Sequence, residues 1–130
     1  MKIKNKDLIA VINFLDGLKV KGLKSIHRTN LTEKLKSKVE KFDVVKDKLQ
    51  EDYKDDTKKM NEEFKAFMEQ ENNINESDNK VEIESLKSII KPLIAEDSET
   101  EFSGADAVGL AVVYNALKLD EKGDKKNENN

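Results

Sequence analysis

The residues best suited to chemistry in this sequence form a short basic segment. It lies between Gly17 and Thr32, contains no acid, and carries Lys19, Lys21, Lys24, His27 and Arg28. A cluster of cations predicts a contact site for phosphate or for an acidic partner. The alternative is a solvated loop whose charges balance acids elsewhere in the fold, and the small size of the cluster favours that alternative.

A compact acidic stretch offers a second kind of chemistry. Its carboxylates belong to Glu96, Asp97, Glu99 and Glu101, and Ca²⁺ takes oxygen ligands of this type. The spacing does not match a calcium-binding loop and contains no glycine, which favours a solvated loop. The chain has one histidine and no cysteine, so it cannot build a multi-histidine or thiolate metal site. We therefore predict no enzyme, no metal and no cofactor.

Three apolar residues form a candidate protein-binding patch: Phe64, Phe67 and Met68. They lie late in a long amphipathic segment, roughly 30 Å or more from its start at the helical rise per residue. Shorter helices packed on the first half of that segment need not reach them. An exposed patch of this kind is an association surface for a partner helix. If other helices cover it, it is part of the core, which is the interpretation the sequence favours for Phe42 and Tyr53.

The patch belongs to a segment from Asn30 to about Gln70 that contains no glycine and no proline. Its apolar residues recur every three or four positions, which predicts one amphipathic helix with Asn30 as its N-cap. About 40 residues of helix span roughly 60 Å, more than the width of a globule of this size. We expect a continuous helix that protrudes or pairs with a partner. The alternative is a break within residues 51–59, which lack large apolar side chains apart from Tyr53 and place like charges together.

Shorter elements precede the long helix. Ile3 lies in a short alternating stretch that can pair as a strand with Val20, giving a small N-terminal β pairing. Asn5 is the predicted N-cap of a helix that is apolar around most of its circumference, and Gly17 ends that helix. Because so little of its surface is polar, this helix is predicted to be the most buried element.

The second half of the chain begins with a linker at residues 72–80, which is rich in Asn, Ser and Asp. Side chains of these types compete with the helix for backbone hydrogen bonds. A helix follows, and Pro92 is expected to end or kink it near Ile90. Ser103 is the predicted N-cap of the last helix, and its small residues would let another helix approach closely: Ala105, Ala107, Gly109 and Ala111.

Composition agrees with a mostly helical chain. Hydrophobic residues make up 36% and charged residues 39% of the 130 residues, a balance that suits helices that each bury only a stripe. The net charge of −3 and the single arginine argue against sequence-specific nucleic-acid binding. We find no membrane span and no signal peptide, and expect a soluble intracellular protein. The predicted fold is all-α (mostly α), with one helical domain over residues 1–118 and a disordered tail at residues 119–130.

Several stretches together resemble a known family. They are Met1 to Asn5, the apolar helix at residues 9–15, the stretch at residues 18–28, the long Lys/Glu-rich helix, and the start of the last helix at residues 103–107. The combination resembles small uncharacterised proteins encoded by phages of lactic-acid and related Gram-positive bacteria. The resemblance covers roughly residues 1–118 and rests on pattern rather than on a diagnostic motif. It implies a phage product made in the host cytoplasm, with no assigned activity and no known site residues.

The expected function follows from the long amphipathic helix, the missing site chemistry and this resemblance. We expect a non-catalytic helical interaction protein that forms a homo-oligomer and serves as a phage accessory or assembly factor. A narrower form of the hypothesis is a chaperone for another helical phage protein, bound through Phe64, Phe67 and Met68. The alternative is a protein that binds nucleic acid or a host regulator through the basic segment at residues 19–28.

Overall fold

Helices dominate the fold in the computed structural model, which describes residues 1–102 and 104–119. The strands are β1 (Lys2–Lys4) and β2 (Glu71–Asn73), and the helices are α1 (Leu8–Asp16), α2 (Leu23–Val39), α3 (Lys41–Asp52), α4 (Thr57–Met68), α5 (Lys80–Ile94) and α6 (Gly104–Ala116). A 3-10 turn at Asn5–Asp7 joins β1 to α1. The mostly helical class predicted from the sequence is confirmed.

The core is built around α1, as its apolar circumference predicts. Leu8, Val11 and Leu15 of this helix are completely or almost completely buried. Helix α1 packs against α2 on one side and α6 on another, and α2 packs in turn against α5. Leucine, isoleucine and valine side chains from these helices join β1 and Ile74 in one apolar cluster. Burial of this continuous apolar surface is the main term that stabilises the fold.

The close approach predicted for the small residues of the last helix occurs between α6 and α1. A Cβ atom on Gly109 would lie 2.5 Å from the Phe14 Cβ and 2.7 Å from the carbonyl oxygen of Ala10. These distances are well inside normal van der Waals contact. Gly109 therefore permits the two helices to pack at this separation.

The prediction of a continuous helix over residues 30–70 is wrong at its start. Helix α2 already begins at Leu23, and Asn30 is an exposed residue in its interior rather than an N-cap. The residue before the helix, Gly22, has a φ of 63°, a conformation that glycine adopts without the strain other residues suffer. The helix thus starts directly after a glycine with a positive φ. The prediction of Asn30 as the N-cap did not use this glycine.

The long segment is also divided into three helices. At Glu40 the division is slight, because this residue keeps near-helical torsion angles and its N–H donates to the Lys36 oxygen at 3.2 Å. At residues 53–56 the chain reverses, within the region identified as the alternative break. Tyr53 leaves the helical conformation, and the side chain of Asp56 accepts a hydrogen bond from the Lys59 N–H at 3.0 Å. Asp56 therefore caps the start of α4 and stabilises the reversal.

The partner predicted for the N-terminal strand is also wrong. Ile3 pairs in antiparallel register with Asn72 of β2, whereas Val20 lies in neither a helix nor a strand. The Asn72 side-chain amide adds a hydrogen bond to the Ile3 oxygen at 3.1 Å. The side chain of Ile3 is 1% exposed, so the strand brings it into the core. The predicted linker at residues 72–80 consequently contains the end of β2 and the first residue of α5.

Pro92 does not end its helix near Ile90, because α5 continues to Ile94. Proline removes one N–H donor, and the carbonyl that would have received it belongs to Ser88, an exposed residue accessible to water. Leu119 packs against the core instead of belonging to a tail. The N-cap predicted at Ser103 and the rest of the predicted tail, residues 120–130, lie outside the described residues.

Candidate functional site

Helices α3 and α4 form a two-helix hairpin, residues 41–68, which we call the arm. None of the residues in these two helices is fully buried. Their apolar side chains lie half-buried along the line where the helices meet, a line we call the seam: Phe42, Val45, Leu49, Tyr53, Met60, Phe64, Phe67 and Met68. Two helices alone cannot enclose the side chains between them, so the seam stays partly open to solvent. A further helix could cover it, as in helical bundles.

The chain reversal brings the predicted patch back towards the body of the protein. Phe67 meets Phe42 edge to face with ring centroids 5.6 Å apart, and Phe64 lies 6.2 Å from Phe67. The patch is thus not at the far end of a 60 Å helix, as the continuous helix implied. Phe64, Phe67 and Met68 are each half-buried, neither fully exposed nor enclosed. Their role in binding a partner stays a prediction.

Polar contacts hold the base of the arm to the start of the chain. Asn5, expected to be an N-cap, is 5% exposed, and its side-chain amide donates to the Phe67 oxygen at 2.7 Å. Its Oδ1 accepts from the Asn72 amide at 2.7 Å, and its backbone N–H donates to the Gln70 oxygen at 2.9 Å. Asn5 is thus a structural link between α4, β2 and the 3-10 turn. This role depends on residues more than 60 positions away, so no local pattern reveals it.

Charged groups reinforce the same junction at its surface. The Glu69 carboxylate pairs with Lys6 at 2.8 Å and with Lys4 at 3.3 Å. Hydrogen bonds from Lys6 and Lys4 hold the pKa of Glu69 below its ordinary value, and the hydrogen bond with Glu69 raises the pKa of Lys6. All three side chains are exposed by more than a third, so solvent screens these pairs and their contribution to stability is small.

The structure separates the residues of the predicted basic segment into two groups. Lys19, Lys21 and Lys24 are exposed. Arg28 is half-buried, and its Nη1 donates to the Leu15 oxygen at 2.7 Å and the Leu18 oxygen at 2.8 Å. These bonds satisfy carbonyl groups at the C-terminal end of α1, where a cation also suits the helix dipole. The guanidinium therefore serves the fold, and the three lysines are the cations that face solvent.

The one histidine is also part of the structural framework. His27 Nδ1 is hydrogen-bonded to the Ser85 Oγ at 2.5 Å, which links α2 to α5. Within residues 1–102 and 104–119, no three histidine, cysteine, aspartate or glutamate side chains are grouped so that they could hold a metal ion. None of the helices in that same part of the chain is long and apolar enough to cross a membrane.

Comparison with known proteins finds no matching family model, no similar curated protein and no similar solved structure. The surfaces of this chain are therefore the basis of the function proposed below. The sequence singled out three members of the seam as a binding patch and favoured the core for Phe42 and Tyr53, although all the seam residues follow the same helical period. Val44, which is 68% exposed, lies on α3 without belonging to the seam.

Proposed function

We propose that the protein is a non-catalytic helical interaction protein whose arm receives a helix from another polypeptide. The observation that carries the proposal is the half-buried seam of α3 and α4, in which no side chain is enclosed. An amphipathic helix that lays its apolar face along such a seam completes a bundle. In the absence of another partner, the arm of a second copy supplies that helix, which gives a homo-oligomer.

The size of the patch indicates how strong this association is. Large apolar side chains bury on the order of 150–250 Å² each, and most of the surface of Phe64, Phe67 and Met68 is already covered, so roughly 50 Å² apiece is left for a partner to cover. At about 25 cal/mol per Å², covering these three side chains gains roughly 4 kcal/mol per copy. Association itself costs on the order of 4–15 kcal/mol. We therefore expect weak, concentration-dependent self-association, with tighter binding to a partner that covers more of the seam.

The family resemblance supports a narrower role as a phage-encoded accessory or assembly factor in the cytoplasm of the bacterial host. A protein that covers apolar helices of another phage protein until they assemble would use the seam as a chaperone does. The second candidate function, binding of nucleic acid or a host regulator through residues 19–28, has weaker support because Arg28 is engaged by backbone carbonyls.

The test is molar mass in solution, measured by light scattering over a concentration series up to about 1 mM, the range that weak association requires. We expect a rise from 14.8 kDa towards twice that value. In Phe64→Ser, the molar mass should rise only at higher protein concentration, because the substitution removes an aromatic side chain from the seam. Val44→Ser is the matched control, since Val44 is an exposed apolar residue of the arm outside the seam.

A second measurement separates the arm from other contacts. The chain has no cysteine, so Asn61→Cys creates a single thiol for an environment-sensitive fluorophore at an exposed position beside Met60 and Phe64. Addition of unlabelled protein should change its emission, and unlabelled Phe64→Ser protein should change it less. A constant mass of 14.8 kDa together with unchanged emission would contradict self-association through the arm.

A further inference from the structure

A groove lined mainly by apolar side chains runs beside the exposed lysines. It has a volume of about 750 Å³ and lies between residues 17–24, the C-terminal part of α5 and residues 100–102. Its apolar lining comes from Leu18, Val20, Ile89, Pro92, Leu93 and Phe102. Volumes of roughly 300–1,000 Å³ are typical of binding pockets. The groove is separate from the arm and shares no residue with the seam.

The alternating pattern of residues 18–21 divides the two chemistries of this groove. Leu18 and Val20 are half-buried and line it, whereas Lys19 and Lys21 are exposed along its edge. Lys24 contributes a third ammonium group from the first turn of α2. Apolar and charged residues therefore alternate here without forming a strand. The alternation places apolar side chains on the floor of the groove and cations on its rim.

The rim has a net positive charge. The lining includes three lysines and no acid, and the described residues provide no ion pair to Lys19, Lys21 or Lys24. Two acids lie close in sequence to Thr100, which lines the groove. They are Glu99 and Glu101, and both are exposed. Two such carboxylates offset only part of the charge of three lysines. The groove therefore attracts an anionic ligand that also has an apolar face.

We infer that this groove binds an acidic amphipathic peptide segment of a partner protein. Apolar side chains of that segment cover Val20 and Leu93, while its carboxylates lie beside Lys19, Lys21 and Lys24. A nucleic acid fits less well, because bases bind by stacking on accessible aromatic rings. The aromatic ring of the groove, Phe102, is half-buried with its centroid 6.1 Å from that of Phe14. This site is independent of the proposed function of the arm.

The experiment uses the whole protein and a fluorescent peptide of about 15 residues, long enough for four helical turns. In this peptide, leucine occupies every third or fourth position and glutamate most of the others. One control peptide has lysine in place of glutamate, and a second keeps the glutamates but has serine in place of leucine. We expect fluorescence anisotropy to report binding of the first peptide alone, weakened several-fold between about 50 mM and about 300 mM salt because of screening.

Two sets of variants locate the binding. Lys19→Glu, Lys21→Glu and Lys24→Glu together should weaken it by about tenfold or more, since each reversal replaces an attraction by a repulsion. Lys54→Glu, Lys58→Glu and Lys65→Glu form the matched control, because they change the net charge equally at exposed positions of the arm.

The floor of the groove is tested in the same way. Val20→Ser should weaken binding several-fold, because it removes apolar contact at a position outside the helices. Val81→Ser, at an exposed position of α5 that does not line the groove, should have no effect. Equal binding of the glutamate and lysine peptides, or of the leucine and serine peptides, would overturn the inference. So would tighter binding of a short RNA or of decanoate that the acidic peptide cannot displace. The molar mass of the protein reports on the arm and does not depend on these results.

Discussion

Replacing Gly109 with alanine tests how closely α1 and α6 approach each other. Alanine is the better helix former by about 1 kcal/mol, so on propensity alone the substitution would stabilise α6. The added Cβ, however, would lie 2.5 Å from the Phe14 Cβ and 2.7 Å from the Ala10 oxygen. Favourable contacts between carbon atoms begin at roughly 3.5 Å, so α6 must retreat by about 1 Å. The helix must therefore lose packing against α1.

Overpacking typically costs about 1–3 kcal/mol. The atoms met here are a Cβ and a backbone oxygen, which cannot turn aside as the end of a flexible side chain can, so we expect the upper part of that range, about 2–3 kcal/mol. After the gain of about 1 kcal/mol in helix propensity, the free energy of unfolding should fall by about 1–2 kcal/mol. For a domain of this size, that corresponds to a decrease in Tm of roughly 4–8 °C.

The assay is urea and thermal denaturation followed by far-ultraviolet circular dichroism. Ala111→Gly is the control, because Ala111 is an exposed residue of the same helix. It should lose about 1 kcal/mol through propensity alone. If Gly109→Ala were as stable as the wild type or more stable, the close contact between α1 and α6 would be refuted. The control shows whether the propensity scale holds in this helix.

Two further predictions concern the junction at the base of the arm. Asn5→Ala should lower the free energy of unfolding by about 1–3 kcal/mol, because it removes two part-buried hydrogen bonds, the one that Asn5 donates to the Phe67 oxygen and the one that it accepts from the Asn72 amide. Hydrogen exchange should then accelerate in β2 and at the end of α4 more than in α5, and a uniform acceleration would count against a local role. Glu69 has a lowered pKa in the folded state, so its stabilising effect is present above the ordinary value of 4.5 and disappears as the pH falls through the lowered value. The stability difference between the wild type and Glu69→Gln, measured by urea denaturation from about pH 6 to about pH 3, should therefore shrink on the acidic side, and a constant difference would contradict this assignment.

Sequence reasoning succeeded where a local pattern carries the information. The apolar circumference of α1 predicted its burial, and the small residues of α6 predicted a close helix contact that occurs at Gly109. The lack of large apolar side chains in residues 51–59 apart from Tyr53 marked the right place for a break, but only as the alternative to the continuous helix that was expected and that the structure contradicts. Each of these properties depends on neighbouring residues and on the period of a helix.

Sequence reasoning failed where a contact joins distant parts of the chain. The β1 strand finds its partner 69 positions away at Asn72, and nothing in its three residues distinguishes this partner from Val20. The same limit applies to the candidate sites. The lysines at residues 19, 21 and 24 were visible as a cluster, but the apolar groove beside them requires α5 and Phe102. The hydrogen bonds from Arg28 to the Leu15 and Leu18 oxygens likewise depend on where α1 ends.

The pairing of β1 with β2 also has a consequence for the order in which the protein folds. It closes a loop that contains α1 through α4, whereas the reversal at the tip of the arm joins neighbouring helices. The entropy lost on closing a loop grows with its length, and contacts between distant residues slow folding. As the chain leaves the ribosome, the hairpin of α3 and α4 can form before Glu71–Asn73 has emerged. The N-terminal strand must wait for these residues, so Met1 and Ile3 enter the core only after the arm has formed.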